Sequence, residues 1–231
     1  MPSVEPYYTE ATFDFLRQLA AHNSHEWFHA HKADYEARVR EPSLRLISDL
    51  QKPLAKLSAH MLAEPKKVGG SLFRVMRDTR RKHPEGPYKP WIGLRFFHEQ
   101  KREVHAPSFY VHISADPADC FVGGGLWKPE PPTLKKIRAF LEENPRSWEK
   151  ALATPALKRY ADEGAWLKNM PRGYPATHPL AHDLRRTSFI WDRPVSHASI
   201  LSAKLLPDVA AAFRDVSPVV DYLCAALDLP Y

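Results

Sequence analysis

"SFYVHISADPADCFVGGGLW", residues 108–127, holds two short runs rich in aromatic and β-branched residues, joined by an acidic, proline-containing turn. In the first run Phe109, Val111 and Ile113 alternate with Tyr110, His112 and Ser114. A strand with that alternation turns an apolar face to a core and a polar face the other way. Upstream, "WIGLRFFHE" (91–99) and "SLFRV" (71–75) have the same character, and Pro, Gly or charged turns separate the runs. Together they read as a meander of about four antiparallel strands, a strand block over 70–127.

On either side the period changes from two to that of a helix. Thr9 precedes "EATFDFLRQLA", with Phe13, Leu16 and Ala20 at helical spacing, and predicts a first helix to about Ala21. Ser24 caps a second helix, whose aromatic face is Trp27, Phe28, His31 and Tyr35, and Pro42 starts a third. Helices therefore fill 9–62. After Trp127 they return over 131–229, where Pro207 and Pro218 are expected to divide the C-terminal stretch into two pieces. Helix block, strand block, helix block predicts a single α+β domain over 1–231, a mainly antiparallel sheet covered by N- and C-terminal helices. Helices on one face leave the other available to a ligand.

The composition narrows the function classes. A chain of 231 residues that is 44% apolar buries a substantial core. Cys120 and Cys224 stand far apart without metal or redox spacing, and no apolar run approaches a membrane span. The first ten residues are acidic and poor in apolar side chains, unlike a signal peptide. A cytoplasmic protein with no membrane partner is expected. The formal charge of +6 suits anionic partners but is modest for a dedicated nucleic-acid binder.

His25-Glu26-Trp27-Phe28-His29 spells the zinc-peptidase pattern His-Glu-x-x-His. His25 falls in the first turn after Ser24, where a helix is least firmly held. Lys32 and Tyr35 occupy the places of the glycine and third ligand in the extended motif. No metal and no cofactor is expected.

The charge that does exist is concentrated. Residues 74–89, "RVMRDTRRKHPEGPYK", hold Arg74, Arg77, Arg80, Arg81, Lys82 and Lys89 against Asp78 and Glu85, a net of +4. Guanidinium groups match carboxylates and phosphates, and Asp78 between Arg77 and Arg80 is placed to hold one of them for such a contact. Tyr88 and Lys89 follow in a stiff, proline-framed turn. His112, on the polar face of its strand, is the best general acid–base candidate among the histidines. Gly123, Gly124 and Gly125 leave backbone free for close approach, with Trp127 as one wall. "MPRGYP" (170–175) adds Arg172 and Tyr174.

Asn23 with Trp27-Phe28, Tyr35, Pro42, "FRVMRDTR", "PYK", "FYVHIS", "GGGLWKP", "LKKIR" and "PRGY" form a recognisable set. It resembles the bacterial and fungal conserved hypothetical family known as domain of unknown function 2461, in order and over nearly the whole chain. Arg74, Arg77, Asp78, Arg80, Pro87, Tyr88, Lys89, Gly124, Gly125, Trp127, Pro129, Arg172 and Gly173 match the family's pattern; His25 and His29 do not belong to it. Where the family reads Arg-Phe and then Asp-Lys-Thr, this chain has Arg80-Arg81 and Pro84-Glu85-Gly86. The resemblance supplies no activity.

The leading expectation is a basic, aromatic groove built from Arg74, Arg77, Arg80, Tyr88, Lys89, Tyr110, His112, Trp127 and Arg172, holding an anionic small molecule or phosphorylated ligand. In an enzyme version the arginines would stabilise anionic charge while His112 or Asp78 moves a proton. One alternative is a nucleic-acid-binding module with aromatic stacking and arginine-backbone contacts. Another is a non-catalytic protein in which arginines form an internal network.

Overall fold

The computed structural model describes residues 5–78, 80, 82–103 and 105–231, so Arg81 of the basic run lies outside the described residues. The N-terminal block is helical: α1 (Glu10–Ala21), α2 (His25–Ala30), α3 (Lys32–Tyr35), a π-helical turn over Glu36–Arg40, and α4 (Glu41–Ala55). The Ser24 hydroxyl accepts from the Trp27 N–H at 3.2 Å, satisfying one free donor at the start of α2. Pro42 stands in the first turn of α4, where a missing N–H costs nothing.

Among the described residues the sheet has seven strands, not about four. They are β1 (Met61–Leu62), β2 (Trp91–His98), β3 (Ser108–Ser114), β4 (Phe121–Leu126), β5 (Ala161–Asp162), β6 (Ala165–Trp166) and β7 (Arg186–Pro194). The order is β1-β2-β3-β4-β7-β5, with β6 also on β7, and every pairing is antiparallel. Strands thus return after residue 127, in the stretch expected to be helical. β7 carries Arg186, Ser188 and Arg193 among its aromatics, and these polar groups, paired internally, hide its alternation.

"SLFRV" is not a continuous strand. Phe73 and Ser71 hydrogen-bond to Gly93 and Arg95 of β2, and then Val75 and Arg77 turn to a different partner, Lys89 and Pro87. Because the segment changes partners in its middle, it forms single bridges, Leu72 to Leu94 and Met76 to Tyr88. Residues 75–77 and 87–89 therefore make the base of an arm whose tip carries Asp78 and Arg80.

α5 (Pro131–Glu143), α6 (Pro145–Leu152), α7 (Ala181–Leu184) and α8 (His197–Ile200) lead to α9 (Leu205–Ala225), one helix rather than two. Pro207 lies in its first turn. Pro218 lies inside it and forfeits a backbone hydrogen bond, a cost of about 3 kcal/mol or more. Burial of Val209, Phe213, Val216, Val220 and Leu223 against the sheet outweighs that cost. α9 crosses β4 and β3, flanked by α4 and α6, and Phe213 stacks on Phe109 with ring centroids 4.8 Å apart. Gly124 permits this approach, since a Cβ there would stand 3.0 Å from Val216 and Phe109. Phe109, Val111 and Ile113 are buried as the alternation predicts. No described helix is long and apolar enough to cross a membrane.

Candidate functional site

With α9 on one face, the other face of β2, β3, β4 and β7 lines a hollow along its middle. The strand register sets its side chains in rows. Arg95, Tyr110, Gly123 and Asp192 face one another across four strands, and Gly93, His112, Phe121 and Pro194 form the next row. β4 contributes Gly123 and Gly125 to this face, so a trough of bare backbone runs between Tyr110 on β3 and Asp192 on β7. Strands lie about 4.8 Å apart, which separates the backbones of those two residues by about 10 Å with no side chain between them. The glycines cannot be replaced without moving β7: a Cβ on Gly123 would stand 2.1 Å from the Trp191 carbonyl oxygen, and Gly125 has φ +133°.

The trough is the floor of a cavity of about 950 Å³, within the range of small-molecule sites. Phe73, Trp91, Tyr110, Phe121 and Trp127 supply its aromatic walls. The ring of His112 stacks on Phe121 at 4.9 Å, and its Nδ1 shares a 3.2 Å hydrogen bond with the Tyr110 hydroxyl. Burial among these rings pushes the imidazole pKa down to about 4, so the ring is neutral near pH 7 with Nε2 turned to other use. Burial, with help from the Glu163 charge, pushes the Asp192 carboxyl up to about 6.

Arg95 borders the cavity from β2 and is 5% exposed. Its two Nη atoms donate to the carbonyls of Arg102 and Glu103 at 2.7 and 2.5 Å, and its Nε has no partner among the described residues. Among the described residues no carboxylate forms an ion pair with it. Desolvation lowers its pKa to about 10, which leaves it charged at neutral pH.

Of the residues singled out in the sequence, Tyr110, His112 and Trp127 line this cavity, while Arg74, Arg77, Asp78, Arg80, Tyr88, Lys89 and Arg172 do not. Tyr88 is 2% exposed, stacked on Phe28 at 4.1 Å, with its hydroxyl 3.0 Å from His25 Nδ1. Arg77 donates from Nε to the Tyr88 carbonyl at 3.0 Å and lies 3.5 Å from Glu85. Asp78 chelates Arg80 rather than Arg77, and those hydrogen bonds hold its carboxyl well below the usual carboxylate range. Lys89 lies over the Trp91 and Phe73 rings at 5.0 and 5.4 Å, does not line the cavity, and donates to the Arg74 carbonyl. Burial and the charges of Arg74 and Arg77 lower the Lys89 pKa. Arg172 is exposed and, among the described residues, pairs with none.

A buried ion-pair cluster centres on an arginine outside the basic run. Arg186, 2% exposed, pairs with Asp162 at 2.8 and 2.5 Å and with Asp183 at 2.8 Å, and stacks on Trp166 and Trp191. It ties β5, β6 and α7 to β7.

The arm, the glycine trough and the Trp127 wall are built from the motifs quoted above. A model of the family described as conserved hypothetical protein (DUF2461) matches residues 11–222. The chain belongs to this family. No curated protein matches it. Of the residues that carry the resemblance, Gly124, Gly125 and Trp127 lie at the cavity, Arg77, Tyr88 and Lys89 in the arm, and Arg172 and Gly173 in an exposed turn apart from both. Sequence reasoning missed Arg95 and Asp192. Arg95 was open to detection, since it alternates with Ile92, Leu94 and Phe96 in "WIGLRFF"; Asp192 lay on a strand that was not recognised.

Proposed function

We propose that the protein binds a small, ring-bearing molecule with an anionic group in the cavity on the face of the sheet opposite α9. The observation that carries the reading is Arg95, a buried guanidinium that borders an aromatic hollow and forms no ion pair with a carboxylate among the described residues. Keeping a charge in such a place is costly unless it is compensated, and a carboxylate or phosphate entering the cavity supplies the compensation. Trp91, Phe121 and Trp127 offer faces to the body of the ligand. His112, neutral and oriented by Tyr110, offers Nε2 as a hydrogen-bonding or proton-transfer group.

The test is titration with benzoate and phenyl phosphate, followed by calorimetry. Trp127→Ala, at a site 47% exposed, should weaken binding several-fold with the melting temperature unchanged. Arg95→Gln should abolish binding and Arg95→Lys retain part of it. Equal affinity in all three variants, or transfer of the effect to Arg74→Ala and Arg80→Ala, contradicts this reading. Retention on single-stranded oligonucleotides at low salt, lost in Arg74→Ala and Arg80→Ala, would favour nucleic acid instead.

A further inference from the structure

The charges around the cavity are not evenly spread. Arg95 borders it on β2, and Lys89 lies over the Trp91 ring on the same side. Asp119 lines the cavity at the turn between β3 and β4 and Lys128 lies over the Trp127 ring at 5.0 Å, whereas on the β7 side stand Asp192 within and Glu163 at the rim. Neither of the β7-side carboxylates has a hydrogen bond or ion pair to a side chain among the described residues. Arg95 and Asp192 belong to one cross-strand row, three strand spacings apart, which puts their backbones about 14 Å from each other with the glycine trough and the Tyr110 ring between.

We propose that the ligand is dipolar: it carries a cationic amine that pairs with Asp192 and Glu163, at the end opposite its anionic group, with an unsaturated ring between the two charges. This rests on the small-molecule reading of the cavity and names the class of molecule it takes. The amine gains a charge-assisted hydrogen bond from a partly desolvated carboxylate, and the Phe121 and Tyr110 rings beside the trough add their faces to a cation. A ligand with an anion at both ends would put a like charge against Asp192, and that arrangement excludes it.

The full chain at pH 7.5 is titrated with benzylamine, benzoate and 4-(aminomethyl)benzoate, a matched set that separates the two charges. The expected result is that 4-(aminomethyl)benzoate binds about tenfold or more tightly than benzoate, as one charge-assisted hydrogen bond allows. Asp192→Asn should cut its affinity, and that of benzylamine, about tenfold while leaving benzoate unaffected or tighter; Glu163→Gln, at an exposed position, should act in the same direction by a smaller factor. If the amine adds nothing, or Asp192→Asn leaves the ratio of the probes unchanged, the dipolar assignment is overturned while benzoate binding keeps the anion reading alive. If benzylamine binds through Asp192 and benzoate does not bind, the amine site stands and the anion reading fails.

Discussion

Asn23 and Tyr88 are paired across 65 residues as if the side-chain amide were the edge of a strand. Asn23 Nδ2 donates to the Tyr88 carbonyl and the Tyr88 N–H donates to Asn23 Oδ1, both at 2.9 Å. The turn between α1 and α2 is thereby locked to the base of the basic arm. Gly86 is needed beside it: its φ is +101°, and a Cβ would stand 2.4 Å from Asn23 Cγ. Asn23→Ala leaves the Tyr88 N–H without its partner and the Tyr88 carbonyl with Arg77 alone, and should cost about 1–2 kcal/mol, read from urea unfolding. A loss under about half a kcal/mol would show that the arm stands without this clamp.

Arg186 predicts a larger loss. Truncation to Ala opens a hollow beside Trp166 and Trp191 and takes the cation from Asp162 and Asp183, of which Asp162 still reaches solvent, so the loss is about 2–4 kcal/mol. Arg186→Met is expected to be milder than Arg186→Ala, because it retains packing against Trp166 and Trp191. Thermal unfolding of both variants decides this.

Gly123 and Gly173 offer a comparison between two kinds of glycine. A Cβ at Gly123 collides with the backbone of β7, whereas Gly173, at φ +96°, has nothing within 4 Å. Gly123→Ala should destabilise by at least about 2 kcal/mol through displacement of β7. Gly173→Ala should cost only backbone strain, about 1 kcal/mol.

Two of the cavity's titratable groups, His112 and Asp192, have opposite effects on stability. Unfolded, His112 titrates at its ordinary value near 6.5, and folded at about 4, so its contribution is complete above 6.5 and is lost as pH falls toward 4. Asp192, raised from 3.8 to about 6, binds a proton more tightly when folded, so its cost appears as pH rises from 3.8 to 6 and is complete above 6. Asp192→Asn should therefore stabilise the free protein at pH 7.5, by about 1 kcal/mol once solvent screening of this part-exposed group is allowed for, with little effect at pH 4. His112→Gln should remove the loss between pH 6.5 and 4. Neither pattern is expected of a carboxyl or an imidazole in open water, and urea unfolding at pH 4, 5.5 and 7.5 separates them.

Much of this fold is legible in the chain. The capped starts of α1 and α2, and the two faces of β3 with Tyr110, His112 and Ser114 together, follow from residue spacing alone. Other features depend on long-range packing that spacing does not encode. α9 passes through Pro218 because its apolar face is buried. β7 escapes notice because Arg186, Asp192 and Arg193 make it look like a surface segment. The basic run looks like a site because its charges cluster in sequence, yet Arg77 is bound to the Tyr88 carbonyl and Arg80 to Asp78, and neither lines the trough. The pairing of Arg95 with Asp192 in one row arises only when β7 joins β4.

The most direct test of the account is amide chemical-shift mapping of the full ¹⁵N-labelled chain with 4-(aminomethyl)benzoate. Saturable shifts are expected at Tyr110, His112, Gly123, Gly125 and Asp192, with the arm over 74–89 little changed. Shifts confined to the arm, or none at millimolar probe, would contradict it.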